Sequence, residues 1–274
     1  MKLHHLSAVF ISLACLTIAL PAHAEIKWGF PDGTDCSTPC YGNTRTYSGT
    51  VVSLPSVSPI PSVTARAWSD TGGTAALQDA YLGSYSGGLG VTNRNTEDTA
   101  TNNHSVDSSG RFDSVLFGFA SAINLTNVEI GWKYNDSDIT VLAYTGIGVP
   151  TLDGKTYGGL LDNSSSSLTG SGWSIVGNYC DLTVGLKRAT NTAISSSYWL
   201  IGAYNSAFGD TCTDANGASQ KCGGTGVTVT SDYIKLAAVY GTTPTQQPHV
   251  GVPEPATLAL LGVGFLGLMR VRRR

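Results

Sequence analysis

The chain has 274 residues, of which 13% are charged and 33 are glycine, and its formal net charge is −3. So few charges and so many turn formers disfavour a helical cytosolic enzyme and favour an extracellular all-β domain, whose many tight turns use Gly, Asn, Asp and Ser. Between the two ends, residues 25–251 hold 11 basic against 18 acidic residues, a net charge of −7, which repels phosphate backbones and excludes nucleic acid as a natural partner.

Residues 1–24 read as a signal peptide. Lys2, His4 and His5 give a weakly basic start, Leu6 to Leu20 an apolar run, and Ala22-His23-Ala24 a small-x-small cleavage site before Glu25. The apolar run is too short for a comfortable transmembrane span. Export implies an oxidising compartment, in which the cysteines that survive cleavage should pair. Five remain: Cys36, Cys40, Cys180, Cys212 and Cys222. Spacing makes Cys36–Cys40 and Cys212–Cys222 the local disulfide candidates and leaves Cys180 over, although connectivity does not follow from sequence. A zinc site is the weaker explanation, because the spacings are not those of a zinc module and histidine is scarce.

From Lys27 to Gly241 the sequence alternates short apolar runs with Gly, Asn, Asp and Ser. Leu54 to Ser62 carries Pro55, Pro59 and Pro61 and reads as a loop or edge. Ala75 to Tyr81 suits a short helix or a strand. Val115, Phe117 and Phe119 alternate with period two, and so do Val128, Ile130, Trp132 and Tyr134, the pattern of strands with one buried face. Asn135-Asp136-Ser137-Asp138 then forms a turn-type tetrapeptide before Ile139 to Tyr144, which predicts a hairpin. Asp162 to Gly172 is a Ser-rich loop. Further strands are expected at Ser174–Tyr179, Leu182–Leu186, Tyr198–Tyr204 and Tyr233–Tyr240. Roughly ten to twelve strands in all predict a single β-sandwich over residues 25–241, jelly-roll-like in outline. Thr242 to Gly251 is a Pro/Gln/Thr linker.

Chemistry is sparse along this stretch. After signal removal only His104 and His249 remain, and no Gly-x-Ser-x-Gly elbow accompanies them. Gly154-Lys155-Thr156 lacks the glycine a phosphate loop needs at 149, where Val149 stands, so Asp153-Gly154 is read as a turn. No catalytic residue is assigned and no enzyme is expected. No cofactor is required, but Asn135, Asp136 and Asp138 cluster oxygens suited to calcium, with Asp107 a distant further ligand. Asx residues in a turn explain the same letters. Trp132, Trp173 and Trp199 lie in strand patterns and are read as core, with sugar stacking the alternative.

The C-terminus carries the most specific signal. Val252-Pro253-Glu254-Pro255 precedes Ala256 to Met269, fourteen residues without a charge, and then Arg270, Arg272, Arg273 and Arg274. As a helix this run rises about 21 Å, shorter than the roughly 30 Å hydrocarbon core, a gap that snorkelling arginines and bilayer thinning cover. The arginines stay cytoplasmic by the positive-inside rule, which leaves the domain outside.

Residues 252–274 resemble the Pro-Glu-Pro (PEP-CTERM) C-terminal sorting domain of Gram-negative bacteria through Pro253, Glu254 and Pro255, the apolar helix and the Arg-rich tail. The resemblance implies that an exosortase, a membrane protease, recognises the chain as a substrate and cuts near the motif. Asp79-Ala80-Tyr81, Gly90 to Asn93, His104 to Asp107, Gly131-Trp132, Asp136 to Ile139 and Tyr198 to Tyr204 are similar to the exosortase-dependent surface protein family, which implies residence at the cell surface or in the exopolysaccharide matrix and brings no assigned activity. The leading expectation is therefore an exported, transiently membrane-anchored, non-enzymatic surface protein. A calcium-assisted carbohydrate-binding module is the alternative.

Overall fold

The computed structural model describes residues 24–33, 40–53, 58–71, 75–94, 104–161, 171–222 and 232–244. Of these, 54% are strand and almost none helix, so the chain is all-β. In chain order the strands are β1 (Ile26–Gly29), β2 (Thr44–Tyr47), β3 (Thr50–Val51), β4 (Val63–Asp70), β5 (Leu77–Asp79), β6 (Tyr81–Tyr85), β7 (Gly88–Thr92), β8 (Val106–Asp107), β9 (Asp113–Asn135), β10 (Ile139–Tyr144), β11 (Trp173–Tyr179), β12 (Lys187–Ala189), β13 (Ser196–Ala203), β14 (Thr211–Thr213), β15 (Ser219–Lys221) and β16 (Asp232–Thr242). One helical turn, α1 (Tyr157–Leu160), lies between β10 and β11. Ala75 to Tyr81 is strand rather than helix.

The two alternating segments expected around Val115 and Ile130 are halves of the 23-residue β9. Its first half pairs with β4 on one side and β13 on the other. Its second half pairs with β16 and β12. Between them the chain bends through the exposed Ala120 and Ser121. A bulge follows: Leu125 faces Gly241 while Asn127 faces Tyr240, so β9 carries one residue more than its partner. An extra residue inverts which parity of side chain faces inward. Buried positions accordingly run 115, 117, 119, 123 and 125 before it, and 128 and 130 after it.

One sheet has the order β4, β9, β13, β10, β11, β14 and β15, with β2 and β5 on the outer edge of β4. In the other, β16 pairs along one edge with β9 and along the opposite edge with β8, β7 and β1 in turn. Side chains of both sheets share one apolar cluster, with Trp28, Val91, Ile130 and Leu236 from the second sheet meeting Ala65, Phe117, Val141 and Ile201 from the first. Trp28 meets Phe119 edge-on at 4.8 Å and Phe30 stacks on Phe117 at 5.2 Å, contacts that cross from β1 and its continuation to β9. A smaller cluster covers the outer face of the first sheet, where Trp68, Leu142 and Leu200 pack under Leu152, Tyr157 and Leu160.

The expected hairpin between the second half of β9 and Ile139–Tyr144 does not form. β10 pairs with β11 and β13 in the other sheet, while the last residues of β9, up to Asn135, pair with β16 instead. Residues 135–138 are therefore a crossing between sheets.

Removing a side chain from the shared cluster should leave a cavity. Phe117→Ala, at a fully buried position, is expected to lower stability by about 3–5 kcal/mol. Val149→Ala, where the valine is 73% exposed, should change it by no more than about 0.5 kcal/mol. Urea unfolding followed by circular dichroism checks both.

Candidate functional site

The crossing between sheets builds the most heavily charged buried corner of the molecule. Asn135 ends β9 in the left-handed region, with φ of 54°, a conformation Asn tolerates better than most residues. That turn swings Asp136 and Asp138 inward, where both are buried, and leaves Asn135 exposed. Asp181 adopts the same conformation, φ 51°, just after β11, and Asp232 opens β16, buried. Carboxylate oxygens of Asp136, Asp138 and Asp181 lie within 4.8 Å of one another.

Backbone N–H groups hold this cluster together. Ser137 donates to Asp136 Oδ1, Asp181 to Asp138 Oδ1 and Asp138 to Asp232 Oδ1, each at 2.8 Å. Ser108 Oγ donates to Asp232 Oδ2 at 3.3 Å and accepts from the Asp232 N–H at 3.2 Å. Gln220 Nε2 donates to Asp181 Oδ2 at 3.0 Å, and Lys133 reaches Ser137 Oγ at 3.1 Å. Burial, then the charges of Asp138 and Asp136, push the Asp232 carboxyl up to about 8 against the hydrogen bonds that favour its ionised form.

Of the residues picked from sequence, Asp136 and Asp138 come together here and Asn135 does not join them. Asp107 stands on β8 opposite Tyr233, and accepts from Ser105 and Ser109. Asp181 and Asp232 escaped the sequence reading, because they lie 43 and 94 residues beyond Asp138 and no spacing rule joins them. His104 sits 2.8 Å from Thr92 Oγ1 and stacks on Tyr85. Trp173 and Trp199 are buried, while Trp132 is half-buried under Lys235. Gly154 sits in the expected turn, φ 73°.

The cysteines correct one expectation. Cys212 pairs with Cys180, Cα–Cα 5.6 Å, and Cys222 is a buried free thiol. The predicted Cys212–Cys222 link gives way because the parallel register of Tyr179 and Thr213 places β14 beside the end of β11, bringing Cys180 to Cys212. Cys40 is disulfide-bonded; Cys36 lies outside the described residues. So do Pro253, Glu254, Pro255, Arg270, Arg272, Arg273 and Arg274, together with the signal segment through residue 23. Among the described residues no helix is long and apolar enough to cross a membrane.

Two clefts flank the fold. One, of about 190 Å³, runs between residues 179–191 on one side and Thr213, Asp214, Ala215 and Gly217 of the β14–β15 hairpin on the other, with Asp181 in its wall. Arg188 crosses it, donating to the Thr213 carbonyl and lying over the Tyr179 ring. The second, of about 380 Å³, is lined by Arg66, Trp68, Asp79 and residues 150–153. There Arg66 covers the Trp68 ring at 4.9 Å and pairs with Asp79, which also binds Arg94. Trp68 Nε1 and Arg66 Nε are buried without a hydrogen-bond partner among the described residues.

Comparison with known proteins identifies the C-terminus. Residues 251–274 match the PEP-CTERM protein-sorting motif. The motif addresses the chain to exosortase as a surface-targeted protein. No curated protein and no solved structure matches the chain.

The raised Asp232 carboxyl has a signed consequence. Between about pH 4 and pH 8 the folded protein keeps a proton that the unfolded chain has released, so stability falls as pH rises through that window. The slope from this group reaches at most about 1.4 kcal/mol per pH unit. In Asp232→Asn that component should vanish, which urea midpoints measured from pH 4 to pH 9 will show.

Proposed function

We propose that the chain is an exported protein without catalytic activity, cut by exosortase and placed at the cell surface or in the exopolysaccharide matrix. The C-terminal sorting motif carries this reading. The folded part supports it from both ends. Ala24 is buried and β1 begins at Ile26, directly after the expected cleavage site. Glu25 is held by five partners: its N–H donates to Ser53 Oγ at 2.7 Å, its carbonyl accepts from the Val52 N–H at 2.9 Å, and its carboxylate accepts from Thr126, Asn127 and Lys187. After cleavage that nitrogen becomes an ammonium that can keep the Ser53 contact. β16 ends at Thr242, and residues 242–251 then serve as the spacer to a membrane helix. The shared core between the two sheets favours reading residues 25–241 as one β-sandwich domain. His104, engaged by Thr92 and Tyr85, fits a structural role.

Mass spectrometry of the mature protein tests this directly. We expect an N-terminus at Glu25 and a C-terminus near Pro253-Glu254-Pro255. Glu254→Ala should make the unprocessed form accumulate in the membrane fraction, and unchanged processing would reject the reading.

A second reading, a calcium-assisted carbohydrate-binding module, draws on two observations. The Asp136, Asp138 and Asp181 oxygens are spaced for one hard cation. The Arg66–Trp68 cleft offers two unpaired donors beside the Asp79 acceptor, a mix that suits sugar hydroxyls. Calcium should then raise the melting temperature, equivalent to about 2.7 kcal/mol at a hundredfold excess over Kd. The gain should be larger at pH 8 than at pH 5, where Asp232 holds its proton, and should disappear in Asp138→Asn. No calcium shift at pH 8 sinks this second reading.

A further inference from the structure

We propose that Cys222 is an exchange partner for the Cys180–Cys212 disulfide, so that the β14–β15 hairpin has two covalent states, latched to β11 or closed on itself.

The geometry begins with position. Cys180, Cys212, Cys222 and Tyr204 form one buried cluster. Cys212 Sγ and Cys222 Sγ lie within 4.8 Å of each other and of an Asp138 carboxylate oxygen. Cys222 is therefore a free thiol next to the disulfide. β14 and β15 pair antiparallel with Thr211 opposite Lys221 and Cys212 opposite Gln220, and the Cys222 N–H donates to the Asp210 carbonyl at 3.1 Å. The hairpin thus brings Cys222 back towards Cys212 by its own register, which is the local pairing the sequence spacing favours.

The exchange balances without an external oxidant or reductant. Cys222 loses its proton to solvent hydroxide. Its thiolate sulfur attacks Cys212 Sγ, the Cys212–Cys222 bond forms, and the Cys180–Cys212 bond breaks. Cys180 leaves as a thiolate and takes up a proton. One disulfide and one thiol are present before and after.

Two features set the direction and the speed. Cys180–Cys212 closes a loop with a sequence separation of 32 residues, whereas Cys212–Cys222 closes one of only ten. The shorter loop costs less entropy to close, which draws the bond towards Cys222 once exchange is possible, against the native register that places Cys180 beside Cys212. Burial pushes the Cys222 thiol up to about 12, reinforced by the charges of Asp138 and Asp232 and opposed by a hydrogen bond with Tyr204. Thiolate is the attacking species, so the folded protein exchanges slowly at neutral pH and faster in base.

What the latch controls is also visible. Cys180 is buried between Tyr179 and Asp181, which line one wall of the 190 Å³ cleft, and Cys212 precedes Thr213, Asp214, Ala215 and Gly217 of the opposite wall. Moving the bond from Cys180 to Cys222 removes the covalent link between the walls and leaves only non-covalent ones, among them the Cys180 N–H bond to the Thr213 carbonyl at 3.0 Å, the Arg188 contacts and the Gln220 bond to Asp181.

Thiol mapping tests the proposal on the full chain purified in detergent. The protein is held at pH 7, 9 and 10 without added thiol, quenched in acid and labelled with N-ethylmaleimide in denaturant, and the labelled peptides are read by mass spectrometry. Label should move from Cys222 to Cys180, about tenfold faster per pH unit, while circular dichroism stays that of the folded protein. Cys222→Ser should show no label at Cys180 under the same conditions. Cys180→Ser, folded oxidatively, should carry a Cys212–Cys222 bond and take up no label at either position. Label confined to Cys222 at every pH while the fold persists, or moving only once the protein unfolds, overturns the proposal.

Discussion

Residues 113–135 serve two sheets with one strand. β9 lends its first half to a sheet with β4 and β13, and its second to a sheet with β16 and β12. Among the described residues no other element crosses with continuous hydrogen bonding, so the phase of both sheets depends on its bulge. The bulge at residues 125–127 matters most. Had Val128 and Ile130 kept the parity of Phe117 and Ile123, they would face solvent, and Glu129 would face the core. Instead Glu129 points out to Lys27 and the Tyr240 hydroxyl. The odd-numbered run at Val115–Phe119 and the even-numbered run from Val128 are, in space, two registers of one strand, with the parity change taken up at this bulge.

The end of β9 explains the electrostatics. With its second half paired to β16 as far as Asn135, the chain returns to the first sheet through the interior, and it does so with three polar residues, Asp136, Ser137 and Asp138, all buried. Buried carboxylates need hydrogen bonds, a counter-charge or a proton. Backbone N–H groups supply the first, and Asp232 keeps the last. A cation at the same place would replace that proton, which ties the calcium reading to the pH dependence of folding. The disulfide sits against this corner too, with Cys212 Sγ 4.0 Å from Asp138 Oδ2, so covalent and ionic constraints converge on one end of the fold.

Much of this was legible in the letters. The period-two runs at Val115–Phe119 and Val128–Tyr134, the dearth of charge and the turn residues all indicated β structure, although the second run stays buried only as far as Ile130, with Trp132 half-buried and Tyr134 exposed. The sorting tail is readable because its three parts lie in order within 23 residues. What escaped is long-range. Nothing local distinguishes a tight Asn-Asp-Ser-Asp hairpin from a crossing between sheets, since Asx residues suit both; the decision falls to β16, almost a hundred residues on. Asp181 and Asp232 are ordinary surface letters until the fold brings them to this corner, Asp232 buried within it and Asp181 at its exposed rim. Cys212 has a near neighbour in Cys222, yet tertiary register delivers Cys180 first.

β16 comes last in the folded part and stands in the middle of its sheet, bonded to β9 on one edge and to β8, β7 and β1 on the other. Until residues 232–242 emerge, the first strand lacks its neighbour and half of β9 has an open edge. Such non-local pairing slows closure. A chain built this way cannot complete its second sheet until its last described strand is available. Sequence ends that are farthest apart then meet in space, with the first and last of these strands zipped side by side at Ile26 and Gly241.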